Sequence, residues 1–139
     1  MIHIIIIDTN LWISFLITHN YDFLDKYILS DKVKLIFCKE LLDEFIQVAS
    51  RPKFTRFFSK GDIEVLFEIL EDKSLLITIE SEVTKCRDKK DDFLLALSAD
   101  SKADFLITGD KDLLDIREFE LTRIITIAEY KKILDSLSF

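Results

Sequence analysis

The sequence predicts an α/β fold: a three-layer α/β/α sandwich around a central, mainly parallel sheet of four or five strands. Three observations lead there. Short β-branched or apolar runs alternate with segments of helical periodicity, and that alternation implies parallel strands joined by crossovers. The first run, Ile4-Ile5-Ile6-Ile7, is continuously apolar, as a strand buried on both faces must be. A chain of 139 residues broken by only two Gly and one Pro has room for one core and shows no linker, so residues 1–139 are expected to form a single domain.

The elements follow in order. HIIII at 3–7 is the first strand, and 21–30 carries helically spaced Tyr21, Phe23, Leu24, Tyr27 and Ile28. VKLIF at 33–37 is the second strand. A helix is expected over 39–49, and Pro52 separates it from the basic, aromatic stretch KFTRFF at 53–58. A helix at 62–71 and a strand LLITI at 75–79 come next. The chain then continues with a helix at 91–101, strands DFLIT at 104–108 and RIITI at 123–127, and a closing helix at 128–136.

Composition excludes several classes. No apolar stretch approaches the roughly 20 residues that span a bilayer. The N-terminus lacks a basic segment and a small-residue cleavage site, so a cytoplasmic protein is expected. Cys38 and Cys86 suit a reducing compartment and read as small buried hydrophobes, while His3 and His19 have no companions at zinc-ligand spacing. The net charge of −7 argues against a general phosphate-backbone binder unless many acids gather in one place around cations.

The acids do fall in a pattern. Ligand sites of open parallel sheets lie beyond the carboxyl ends of the strands, where strand order reverses. The first strand exits into Asp8-Thr9-Asn10, and FLIT exits through Gly109 into Asp110-Lys111-Asp112. If those strands are neighbours, Asp8 and Asp110 converge. Either acid alone reads as a helix N-cap; together they read as a shared site. On the 39–49 helix, Leu41, Leu42, Phe45, Ile46, Val48 and Ala49 form one apolar arc. Glu40 and Asp43 lie well off that arc, and Glu44 sits about 40° beyond its edge, where a side chain leaves the core for a cleft. Asp91 and Asp92 occupy the first turn of a further helix, where acids complement the helix dipole, and with Asp88 they exceed what a cap requires. Spacing alone does not choose between Asp91 and Asp92. Four or more clustered carboxylates raise one another's pKa unless cations hold them, and all-oxygen ligands suit Mg²⁺ or Mn²⁺.

Four stretches carry a family resemblance: DTNLWISFL at 8–16, ELLDEFIQVASRPKF at 40–54, RDKKDDFLLALSADSKADFLITGDKDLL at 87–114, and RIITIAEYKKIL at 123–134. Together they resemble the PIN-domain ribonucleases, and more narrowly the PIN-family toxins of bacterial toxin–antitoxin pairs. The resemblance implies a PIN-like, Rossmann-related sandwich with Asp8, Glu44, Asp91 and Asp110 as an acidic quartet and Asp112 and Asp92 as auxiliary metal ligands. Asp91 is selected by counting from Arg87, although Lys89 stands where the family usually has proline. Thr9, Asn10 and Thr108 would support the acids, and Arg51, Lys53, Arg87 and Lys111 would contact RNA phosphates. The six site acids removed from 26 leave 20 against 19 bases, a net of −1, so bases remain for phosphate contacts. Phe54, Phe57 and Phe58 would stack on unpaired bases where exposed, but burial is the commoner fate of Phe.

The expected chemistry is metal-dependent hydrolysis of an RNA phosphodiester, with one or two Mg²⁺ or Mn²⁺ ions held by the quartet Asp8, Glu44, Asp91 and Asp110, and no Ser, His or Cys nucleophile. The resemblance implies a small antitoxin as partner and is compatible with a homodimer. Two alternatives stand beside it. A haloacid-dehalogenase-like phosphatase also begins with an Asp after its first strand, but its general acid two residues on would here be Asn10. The other is a catalytically idle PIN scaffold that binds RNA or protein.

Overall fold

The computed structural model describes residues 2–18, 32–57, 59–86 and 89–136. The helix expected at 21–30 lies outside them, as do Phe58 and Arg87. The described strands are β1 (His3–Ile7), β2 (Val33–Phe37), β3 (Ser74–Leu76), β4 (Phe105–Ile107), β5 (Glu118–Phe119) and β6 (Thr122–Ile125). Interleaved with them are α1 (Thr9–Thr18), α2 (Lys39–Ala49), a 3₁₀ turn at Pro52–Phe54, α3 (Lys60–Lys73), α4 (Lys89–Ser101), α5 (Lys111–Ile116) and α6 (Ile127–Asp135).

The strands form one sheet in the order β3-β2-β1-β4-β6-β5. Every pairing is parallel except β5 on β6. The chain moves outward from β1 through β2 to β3, then returns to the other side of β1 as β4. Strand order therefore reverses between β1 and β4, which pair Ile5 with Phe105 and Ile7 with Ile107. The general preference for right-handed crossovers assigns α1, α2 and α3 to one face of such a sheet and α4 to the other. Covered on both sides, Ile5, Ile6 and Ile7 of β1 and Phe105, Leu106 and Ile107 of β4 are all buried, as central parallel strands require.

Several boundaries depart from expectation, each for a local reason. The strand expected at 75–79 starts at Ser74 and ends at Leu76, because β2 ends at Phe37 and its carbonyl takes the last bond, from Ile77 N–H at 2.8 Å. The strand expected at 123–127 stops at Ile125: Thr126 and Glu129 form a reciprocal capping box that opens α6 early. Ser59 and Asp62 do the same for α3, which begins at Lys60 rather than 62. Three elements were not anticipated. Helix α1 is one, and the β5 strand that makes the sheet six-stranded among the described residues is another. The third is α5, six residues long and N-capped by Asp110.

On α2 the expected arc narrows. Leu41, Phe45, Val48 and Ala49 are buried, whereas Ile46 is exposed. Glu40 and Asp43 face solvent and Glu44 is half-buried at the boundary. The Cys38 Sγ caps this helix by accepting the Leu41 N–H, and burial pushes its thiol up to about 12, so Cys38 is an inert core residue.

Candidate active site

The site is built where β1 and β4 end side by side. Asp8 leaves β1 with its N–H on the Ile107 carbonyl at 3.0 Å, and its own carbonyl accepts the Leu11 N–H at 3.0 Å as α1 begins. The residue is thus fixed at a strand–helix junction and is 9% exposed. Its Oδ2 accepts the Thr108 hydroxyl at 2.7 Å. Burial holds the Asp8 carboxyl above the usual carboxylate range. The Thr108 hydroxyl and the N–H groups of Asn10 and Thr9 oppose that rise, and the negative charge of Asp110 adds to it. Asn10 thus supports Asp8 through its backbone, while its side chain is exposed.

The second wall is the turn after β4. Thr108 is fully buried, and its oxygen also accepts the Asp110 N–H at 3.0 Å. Asp110 Oδ1 accepts the Asp112 N–H at 2.9 Å. This N-cap bond turns the chain back so that Asp110 and Asp112 present their carboxylates on the same side. Helix α4 contributes Asp91, which is 7% exposed. One carboxylate oxygen from each of Asp91, Asp110 and Asp112 lies within 4.8 Å of the others.

The structure therefore brings together most tightly three of the six expected acids: Asp91 and Asp110 of the quartet, with the auxiliary Asp112. Asp8 and Glu44 do not enter that close group. Asp8 adjoins it through Thr108 and the field of Asp110. Glu44 is joined to the residue after Asp8: its Oε2 accepts the Thr9 hydroxyl at 3.2 Å. Asp92 also stands apart from the group: its Oδ1 accepts the Lys85 N–H at 3.0 Å and the Cys86 N–H at 2.7 Å. Adjacent helical residues diverge by about 100°, so Asp91 and Asp92 face different neighbours.

The donor set fits a hard divalent cation. Three carboxylate oxygens, one of them on a buried residue, accumulate negative charge that a dication relieves, and no soft ligand belongs to the group.

The expected phosphate contacts divide. Lys111 lies between Asp110 and Asp112 in the chain and is exposed. Arg51 and Lys53 follow the far end of α2, beyond its last residue Ala49. Phe54 and Phe57 pack half-buried against the core, and cations already lie over them: Lys53 Nζ is 5.0 Å from the Phe54 ring centroid and the Arg56 guanidinium 4.8 Å from that of Phe57.

A sequence profile described as a PIN domain matches residues 4–112. A protein of Methanocaldococcus jannaschii, described as "Uncharacterized protein MJ1680", is 30% identical over 118 residues, spanning 82% of this chain and 75% of that protein. No solved structure matches the chain at a significant level.

Proposed function

Because this chain belongs to the PIN-domain family, we propose that it is a metal-dependent endoribonuclease acting on single-stranded RNA. The observation that carries this reading is the close Asp91–Asp110–Asp112 group at the point where strand order reverses. Asp91, Asp110 and Asp112 would hold Mg²⁺ or Mn²⁺, with Asp8 and Glu44 bordering them. When bound, the cation supplies the positive charge that lowers the pKa of a water and offsets charge building on the phosphate. Asp8, whose proton affinity is raised by burial, is the carboxylate suited to take a proton from the attacking water. Thr108 keeps Asp8 in place, Thr9 keeps Glu44 turned toward the crevice, and Lys111 meets the phosphate backbone.

The toxin role follows as a finer proposal: the partners would be a small antitoxin that covers the crevice and a second copy of this chain. Among the described residues no helix is long and apolar enough to cross a membrane, which is compatible with an RNA target.

The test is cleavage of a labelled single-stranded RNA with Mg²⁺ or Mn²⁺, with and without EDTA, by the parental chain and by D110N. Metal-dependent cutting that D110N abolishes supports the reading. Equal cutting by D110N, or an acyl-phosphate trapped on Asp8, contradicts it. Growth arrest on expression, relieved by the product of an adjacent reading frame, tests the toxin role separately.

A further inference from the structure

The two adjacent acids that open α4 serve different neighbours. Asp91 joins the metal-binding group. Asp92 turns to the preceding chain, where one oxygen accepts two consecutive backbone N–H groups, those of Lys85 and Cys86. A carboxylate that accepts two such bonds is a strong, charge-assisted clamp. Two turns further along α4, Asp100 repeats the device: Oδ2 accepts the Glu80 N–H at 2.7 Å and the Ser81 N–H at 3.0 Å, and Oδ1 accepts the Ser81 hydroxyl.

The two clamps hold a segment, 77–85, that has no regular secondary structure. It would otherwise be held by few backbone bonds. Its C-terminal end lies against the first turn of α4, where the Cys86 N–H meets the Asp92 carboxylate at 2.7 Å. The Asp92 clamp ties Lys85 and Cys86 to the first turn of α4, at the residue next to Asp91. Two bonds at that point restrain the rotation of the turn that carries Asp91.

We propose that Asp92 is a positioning residue: by clamping Lys85 and Cys86 it aims Asp91 into the cation site without itself coordinating the cation. The proposal rests on the metal-dependent reading above and adds to it a division of labour between neighbouring acids. Residues behind the ligands commonly govern metal affinity in this way.

The two roles separate by substitution. D92N keeps an oxygen able to accept both N–H bonds and removes the charge, whereas D92A removes both. The measurements are Mn²⁺ binding by calorimetry and hydrogen exchange of the Lys85 and Cys86 amides by NMR. In D92N, Mn²⁺ affinity stays close to parental and both amides remain protected. In D92A, both amides exchange freely and Mn²⁺ affinity falls by about 10–100-fold. Loss of Mn²⁺ binding in D92N matching that of D91N, with the amides still protected, would make Asp92 a ligand and overturn the proposal. Free amides in D92A with parental Mn²⁺ affinity would overturn it as well. Should D92A fail to fold, D92N decides alone. Failure of the parental chain to bind Mn²⁺ is a separate result: it removes the metal-dependent reading and with it the role of Asp92 toward a cation.

Discussion

The hydroxyl of Thr108 joins Asp8 across the junction of β1 and β4, donating to Oδ2 at 2.7 Å while its oxygen accepts the Asp110 N–H at 3.0 Å. One buried side chain thus ties together the acids at the ends of two strands a hundred residues apart. T108V keeps the volume and removes both bonds, leaving the buried Asp8 carboxylate without its hydroxyl partner. The expected loss is about 1–3 kcal/mol of unfolding free energy by denaturant titration, with T108S close to parental. Parental stability in T108V would show that the bond does not hold the site.

Asp8 also predicts a pH dependence. Its folded pKa lies above the ordinary value of 3.8, so between those two values the native state binds more protons than the unfolded state. Stability contributed by this group is present below pH 3.8 and is lost as pH rises through the folded pKa. In metal-free buffer, D8N therefore gains on the parental chain as pH rises from acid toward neutrality. A stability difference that stays constant over that range would contradict the burial assigned to Asp8.

Asp110 has two separable duties. As N-cap of α5 it accepts the Asp112 N–H, a role that Asn performs as well. As a member of the acidic group it contributes charge. D110A is expected to lose about 1 kcal/mol of stability together with Mn²⁺ binding. D110N is expected to keep the stability and lose the binding. Mn²⁺ binding retained in D110N would remove Asp110 from the ligand set.

The basic residues part company by position. K111A, between the two acids of the Asp110–Asp112 turn, is expected to weaken RNA binding and reduce the slope of log affinity against log salt by about 1. K53A, beyond the far end of α2, is expected to leave that slope unchanged. Filter binding across a salt series measures both, and a reversed order would relocate the RNA path.

Much of this arrangement was legible in the residues. A continuous Ile run into Asp8 and an apolar run into Asp110 marked two central strands and their exits, and the β1–β4 pairing places those exits together. Glu44 stood out by its angle on α2, and the structure finds it half-buried with Thr9. The resemblance carried by DTN and TGDKD agrees with the PIN-domain match. Helix α1 escaped notice because Leu11–Ile17 is almost continuously apolar, and a helix buried on most sides has no period to read. The separate duties of Asp91 and Asp92 were also hidden. Sequence gives both the same type and the same turn, and only the course of the 77–86 segment across α4 tells them apart. The closeness of Asp112 to Asp91 depends likewise on the turn made at Asp110, which spacing alone does not reveal.

Crystals soaked in MnCl₂ and measured at the manganese edge test the central claim most directly. The account predicts an anomalous peak within bonding distance of carboxylate oxygens from Asp91, Asp110 and Asp112, absent in D110N. A peak elsewhere on the molecule, or none in crystals where those three side chains stand as described, would contradict it.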